Sequence, residues 1–156
     1  MAATIVAGLA LAIATPAGAA TAAAGSVHNG LPTQVGIQQT WLSDPNLTSN
    51  KQTAVTRTSA RGTAQIRFGT YQGVQYGWAR ILGATGDYGI RFEIDLNGDR
   101  VWDLASTQYP ISPRSYTQGY ATSSSASRAF RACITIVGLE DDCNTGGAAP
   151  TTTAWW

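Results

Sequence analysis

The clearest alternation of hydrophobic and polar residues lies over residues 90–95. Ile90, Phe92 and Ile94 are apolar, and a charged residue follows each of them. A period of two is typical of a strand that buries one face. The dipeptide Asn97-Gly98 comes next, and both residue types tolerate the positive φ of a tight turn. The pattern therefore predicts a strand that runs into a β-hairpin.

Two registers are possible for this hairpin. A two-residue turn would set Phe92 opposite Asp103, an apolar ring against a carboxylate. A three-residue loop over 96–98 pairs Phe92 with Trp102 and Arg91 with Asp103. Cross-strand pairs of aromatic residues and of opposite charges both stabilise a sheet. We therefore predict the second register.

The predicted hairpin carries an acidic turn. The second register sets Asp95 opposite Asp99, so two like charges meet, and a bound cation would relieve their repulsion. Asp95, Asn97, Asp99 and Asp103 occupy positions 1, 3, 5 and 9 of DLNGDRVWD. Calcium binds six to eight oxygens, and the carbonyl of Val101 would add to these four side chains. The spacing predicts a structural calcium site.

Residues 95–105, DLNGDRVWDLA, resemble the calcium hairpin of FG-GAP repeats in integrin-like propellers. The pattern of that family is D-x-N-G-D-G-x-x-D-L, and the resemblance implies the same four calcium ligands. It occurs once, whereas a propeller needs several blades, so it implies the ligand spacing and no propeller fold. Arg100 stands where the family has Gly and adds a positive charge. The alternative is a solvated turn that binds no metal.

A second hairpin is predicted over residues 63–82. Gln72-Gly73 suits a tight turn, which pairs Gly69 with Tyr76 and Phe68 with Gly77. In each pair an aromatic ring covers a glycine on the neighbouring strand, and this compensates for the poor strand propensity of glycine.

One face of this second hairpin, which we call the aromatic face, combines rings with guanidinium groups. It consists of Arg67, Tyr71, Tyr76, Trp78 and Arg80. If the face is exposed, its flat rings suit the binding of sugar rings or of a protein partner. The alternative is that the face is covered and its aromatic residues belong to a core.

The domain organisation is predicted from the start of the chain. An apolar run that ends in Ala17-Gly18-Ala19 indicates a signal peptide over 1–19, too short for a membrane span. A flexible lead-in over 20–32 and a single β domain over 33–156 follow.

Cys133 and Cys143 are expected to form a disulfide after export. We predict an all-β fold, an antiparallel β-sandwich or barrel of about seven strands.

Composition limits the possible partners. The net charge is +1 and only 12% of residues are charged, which argues against nucleic-acid binding. We expect a secreted, extracellular monomer that is not inserted in a membrane. The Ala/Thr-rich leader, the strand around Cys133 and the terminal Trp pair resemble small secreted proteins of actinomycetes. That resemblance implies no particular activity.

Three functions follow from these features. No common hydrolase motif occurs and the single histidine, His28, lies in the lead-in, so we expect a non-enzymatic module. Its predicted ligand is an extracellular glycan or cell-wall polymer, bound by the aromatic face. The alternative is a secreted inhibitor or toxin-like protein that acts on a protein through the disulfide ring at 138–142. A third possibility is a glycoside-type hydrolase with Glu93 and Asp103, or Asp95 and Asp99, as its carboxylate pair.

Overall fold

The computed structural model describes residues 40–136, 138–140 and 142–156, which belong to one compact unit, Gly36–Trp156. The described residues form two antiparallel sheets, which confirms the all-β, sandwich-like fold. There are eight strands in the described part, one more than predicted. The strands are β1 Trp41–Leu42, β2 Ser49–Ser59, β3 Gly62–Tyr71, β4 Val74–Leu82, β5 Gly89–Asp95, β6 Leu104–Gln108, β7 Gly119–Ala121 and β8 Ala129–Thr135. Two 3-10 turns are present, Pro45–Leu47 and Ala149–Thr151.

The larger sheet has five strands in the order β1-β7-β4-β3-β2, and the smaller has three in the order β6-β5-β8. Side chains from the inner faces of both sheets form one hydrophobic core. Its fully buried members include Ile66 and Ile81 from the larger sheet and Ile90, Phe92 and Ile134 from the smaller. The alternation predicted over residues 90–95 is therefore what places the apolar residues of β5 in this core.

The β3–β4 hairpin has the predicted register. Gly69 pairs with Tyr76 and Phe68 with Gly77. The turn residues Gln72 and Gly73 have φ values of 49° and 80°, as a two-residue hairpin turn requires.

The β5–β6 hairpin differs from both predicted registers. Ile94 pairs with Leu104 and Phe92 with Ser106, so neither Trp102 nor Asp103 lies in the ladder. Eight residues, 96–103, connect the strands, where two or three were expected. The loop is wide because its carboxylate side chains accept hydrogen bonds from its own backbone, which competes with strand pairing.

The C-terminal segment, residues 143–156, is attached along β8. Trp156 and Phe130 exchange two backbone hydrogen bonds, and the Thr153 N–H donates to the Ala132 carbonyl. The predicted disulfide is present between Cys133 and Cys143. It ties the segment to the middle of β8 and fits a secreted or extracellular protein.

The remaining domain predictions concern residues outside the described part. The signal peptide over 1–19, the lead-in over 20–32 and residues 33–39 at the start of the predicted domain all lie there. Within the described residues, no helix has the length and hydrophobicity to span a membrane.

Candidate functional site

The aromatic face is covered at its centre. Tyr76 and Trp78 are only 2% and 4% exposed, while Arg67, Tyr71 and Arg80 are half-buried. The ring of Tyr76 packs in a small second core with Leu42 and Ala121. The face is therefore not an open platform, although binding by these five residues stays a prediction.

Gly69 explains how the chain covers this face, and Gly119 lies nearby with less crowded surroundings. A Cβ on Gly69 would lie 2.6 Å from the Thr48 Oγ1 and 2.8 Å from the Ser49 carbonyl oxygen. A Cβ on Gly119 would lie 3.4 Å from the Pro45 ring and 3.5 Å from the Tyr76 Cβ. The absence of a side chain at Gly69 therefore lets the segment after β1 lie directly over the sheet, whereas a Cβ on Gly119 would make only ordinary van der Waals contacts.

The arginines of the aromatic face lie in a partly dry environment. Burial lowers the pKa of Arg67, and the positive charge of Arg80 lowers it further. The Arg67 Nη1 donates a hydrogen bond of 2.9 Å to the Thr53 Oγ1. Arg67 is therefore tied to the neighbouring strand by one hydrogen bond, and both guanidinium groups are half-buried.

The acidic loop, residues 95–103, is organised around the buried carboxylate of Asp95. Its Oδ1 accepts the N–H groups of Asn97 and Gly98, at 3.0 and 2.7 Å. Its Oδ2 accepts both the N–H and the Nη1 of Arg100, at 3.0 and 2.9 Å. Burial alone would raise the pKa of Asp95, but the hydrogen bonds from Gly98, Arg100 and Asn97 lower it overall. The loop thus stabilises a buried negative charge with its own donors.

The other three predicted calcium ligands also hold the loop together. Asn97 Oδ1 accepts from the Asp99 N–H, Asp99 Oδ1 from the Val101 N–H, and Asp103 Oδ2 from the Leu96 N–H. Within residues 40–136, 138–140 and 142–156, no group of three or more His, Cys, Asp or Glu side chains is arranged to hold a metal. Calcium binding stays a prediction, and Arg100 already supplies a positive charge to Asp95.

A buried ion network fastens the C-terminal segment to the outer face of the smaller sheet. Glu93 is completely buried, and its Oε1 accepts from the Arg91 Nε at 2.8 Å and the Cys143 N–H at 3.0 Å. Its Oε2 lies 2.7 Å from the Nε of Arg131, whose guanidinium stacks 4.4 Å from the Trp155 ring centre. Both carboxylate oxygens are engaged, so Glu93 acts here as a structural anchor.

A cleft that the sequence did not predict lies where β7 ends and β8 begins. We call it the Arg128 cleft; it has a volume of about 400 Å³ and continues into a smaller pocket of about 100 Å³. The larger part is lined by Thr40, Ala121, Thr122, Ser123, Ser124 and Arg128. The smaller part adds Gln75, Phe130 and Trp156. The cleft therefore combines hydroxyl groups and one guanidinium with two aromatic rings.

The Arg128 side chain is held by only part of its guanidinium. Its Nη1 donates to the Ala121 carbonyl at 2.9 Å and more weakly to the Thr122 carbonyl at 3.4 Å. The guanidinium carbon lies 5.4 Å from the Tyr120 ring centre, a cation–π contact. Its Nε is buried and has no acceptor. One edge of the guanidinium is thus fixed while the other lacks a partner.

Trp156 forms the aromatic wall of the smaller pocket. Its ring stacks on Phe68 at 5.0 Å and packs on Phe130 at 5.9 Å, yet it remains 37% exposed. Gly77 makes room for this cluster, because a Cβ there would lie 2.9 Å from the Phe130 ring. The indole is therefore rigidly held and still accessible from the cleft.

No protein-family model, curated protein or solved structure matches this chain. The class of protein is therefore defined by its fold and its surfaces: a small, disulfide-linked, sandwich-like β domain with a polar cleft beside an accessible indole.

Proposed function

We propose that the protein is a secreted, non-enzymatic module that binds an extracellular glycan, such as a cell-wall polymer, in the Arg128 cleft. The observation that carries this proposal is the combination of hydroxyl groups, the Arg128 guanidinium and the Trp156 ring in one concave surface. Sugar rings present hydroxyl groups and apolar C–H faces, which match polar donors and a flat aromatic ring. The cleft replaces the aromatic face as the proposed binding surface.

The proposal is tested by filling the cleft. Ser124 is exposed and lines the larger part, so Ser124→Trp places an indole in the ligand space without disturbing the core. Thr85→Trp is the matched control, in an exposed loop at the far end of β4. We expect both variants to melt like the wild type. Co-sedimentation with insoluble polysaccharides is expected to fall at least about tenfold for Ser124→Trp only.

The same assay separates the cleft from the aromatic face. Arg80→Gln removes a guanidinium from that face and leaves the cleft unchanged. Weaker binding by Arg80→Gln together with normal binding by Ser124→Trp would assign the ligand to the aromatic face. Loss of binding by Thr85→Trp and Ser124→Trp alike would show that the assay reports damage to the fold.

A second function is favoured by the disulfide ring. Leu139 is 77% exposed, the most exposed large apolar side chain among the described residues. The neighbouring Glu140 is held by the Arg61 Nη1 at 2.7 Å and by the Ile136 N–H at 2.9 Å. An apolar side chain on an anchored loop suits an inhibitor or toxin-like protein, because a preorganised loop loses little entropy on binding a protein partner.

A protease panel tests this alternative. Inhibition by the wild-type protein at stoichiometric amounts, abolished by Leu139→Asp and unchanged by Ser124→Trp, would favour the inhibitor function over the glycan module. Full protease activity with excess protein across the panel would remove it.

A further inference from the structure

We propose that Asn97 is a site of spontaneous deamidation, and that the buried carboxylate of Asp95 controls its rate by holding the Gly98 nitrogen. The inference concerns the acidic loop and does not depend on glycan binding in the Arg128 cleft. Its physical basis is an Asn-Gly dipeptide that is exposed to water while neighbouring carboxylates hold both of its reacting groups.

The reaction needs only water and the chain itself. The Gly98 backbone nitrogen loses its proton to solvent and forms a bond to the Asn97 Cγ, and the side-chain nitrogen takes up a proton and leaves as ammonia. Water then opens the resulting succinimide ring at either carbonyl, which gives aspartate or isoaspartate. Overall, one water is consumed and one ammonia is released. Glycine as the following residue favours the reaction, because it has no β-carbon to hinder the attacking nitrogen.

The folded loop restrains the attacking nitrogen. The Gly98 N–H donates to the Asp95 Oδ1 at 2.7 Å, and the Asn97 N–H donates to the same oxygen at 3.0 Å. Asp95 is completely buried, so removal of the Gly98 proton would place a second negative charge beside it where water screens little. A turn of the nitrogen towards Cγ would break its charge-assisted hydrogen bond. The nitrogen can therefore react only after it has left Asp95.

The side-chain amide of Asn97 is held by Asp99, and deamidation would destroy that contact. The Asn97 Oδ1 accepts the Asp99 N–H at 2.9 Å, and the Asn97 Nδ2 donates to the Asp99 Oδ2 at 3.2 Å. A carboxylate in place of the amide would set two like charges where a hydrogen bond exists. Isoaspartate would also lengthen the main chain next to Gly98, where an added Cβ would lie 3.2 Å from the Ser127 Cα. Each deamidation therefore leaves the loop in an altered form.

The test compares the folded loop with the same sequence as a free peptide. Trypsin cleaves after Arg91 and Arg100 and releases residues 92–100, which contain a single asparagine. The other Asn-Gly of the chain, Asn29-Gly30, falls in a different tryptic peptide. Wild-type protein and synthetic 92–100 peptide are incubated at neutral pH, and mass spectrometry follows the loss of the Asn97 amide. We expect the protein to react about tenfold or more slowly, as the loss of one charge-assisted hydrogen bond before the reaction implies.

Two variants that each neutralise one carboxylate of the loop assign the protection. Asp95→Asn is compared with a 92–100 peptide that carries the same change, and fragment ions separate its two asparagines. We expect the rate in this variant to approach that of its peptide. Asp103→Asn is the matched control, because Asp103 accepts the Leu96 N–H and has no bond to Gly98, and it should keep most of the protection. Circular dichroism checks that both variants are folded.

Hydrogen exchange of the wild-type Gly98 amide tests the same contact without a variant. Exchange and deamidation both require the Gly98 N–H to leave Asp95, so we expect the fold to slow the two reactions by similar factors. This measurement decides the role of Asp95 even if Asp95→Asn does not fold.

Each part of the inference has a result that would overturn it. Equal deamidation rates in the wild-type protein and the peptide would overturn control by the folded loop. Full protection in a folded Asp95→Asn variant, or Gly98 exchange as fast as in the peptide, would overturn the role of Asp95. An Asn97 amide that stays intact through the longest incubation in which the protein remains folded would overturn the modification site itself.

Discussion

At the scale of single residues, Gly69 marks a close approach of two chain segments. The Ser49 carbonyl lies where a β-carbon on Gly69 would point, and backbone moves aside at greater cost than a flexible side chain. We expect Gly69→Ala to lower the free energy of unfolding by about 1–3 kcal/mol. Urea denaturation measures the change. Gly86→Ala is the control, since nothing lies within 4 Å of its added methyl group, and equal stability of the two variants would contradict the packing described at Gly69.

Glu140 gives the protein a specific acid sensitivity. The hydrogen bond from Arg61 lowers the pKa of Glu140; burial opposes this, and the Ile136 N–H lowers the pKa further. The unfolded state therefore takes up the proton first as the pH falls, and the folded state loses stability. This contribution is complete above the ordinary glutamate pKa of about 4.3 and is lost as the pH drops through the lower folded value.

Glu140→Gln tests this account of the acid sensitivity. We expect the variant to be less stable than the wild type at pH 7, and the difference to shrink towards pH 3. Urea midpoints across this range measure it. A difference that stays constant with pH would show that Glu140 stabilises the fold through packing and not through its charge.

At the scale of elements, the acidic loop closes on itself through Asp95 and Arg100. Arg100 adopts a φ of 65°, a conformation that suits glycine, and holds its guanidinium 2.9 Å from the Asp95 Oδ2. Arg100→Gly removes this charge and relieves the backbone, so a calcium ion would meet less repulsion. We expect calcium, relative to chelator, to raise the Tm of Arg100→Gly more than that of the wild type. No calcium-dependent shift in either protein would remove the calcium prediction.

The two long hairpins show what local sequence determines and what it does not. The β3–β4 register could be predicted because it depends on a two-residue turn, Gln72-Gly73, and on neighbours close in sequence. The β5–β6 register could not, because Asp95 and Asp103 bind loop N–H groups in place of pairing across strands. Alternation predicts which residues of a strand face the core, but it does not reveal side chains that cap a loop.

The exposure of the aromatic face depends on contacts that are distant in sequence. Tyr76 is covered by Leu42 and Ala121. The missing side chain of Gly69 leaves space for the segment at Thr48 to pack against the sheet. The Arg128 cleft has the same origin, since Thr40, Gln75 and Trp156 meet only in the folded domain. Serines at 123–125 and 127 precede Arg128 in the sequence, but nothing local indicates that the Trp156 indole lies beside them.

At the scale of the whole molecule, the disulfide and the Glu93 network attach the C-terminal segment that supplies one wall of the cleft. We expect replacement of both Cys133 and Cys143 by serine to lower the free energy of unfolding by about 2–3 kcal/mol. The segment should also loosen, because the Cys143 N–H bond to Glu93 is no longer held in place. Urea denaturation and the emission of the terminal tryptophans measure the two effects, and unchanged stability would contradict this role.

The fold and the Arg128 cleft of the described residues together form a small scaffold with a concave polar surface. The disulfide and the buried Arg131–Glu93 pair add to the hydrophobic core in holding that scaffold together. Glycan binding in the Arg128 cleft is the central claim, and its location on the molecule can be measured residue by residue.

The most direct test is a titration of isotope-labelled wild-type protein with a soluble oligomer of the polysaccharide that co-sediments best with it, followed by amide, arginine Nε and indole NMR signals. We predict that the largest shifts occur at Thr122, Ser123, Arg128 and the Trp156 indole. Shifts centred on Arg67, Tyr71 and Arg80, or no shifts at a millimolar concentration of the oligomer, would contradict the claim.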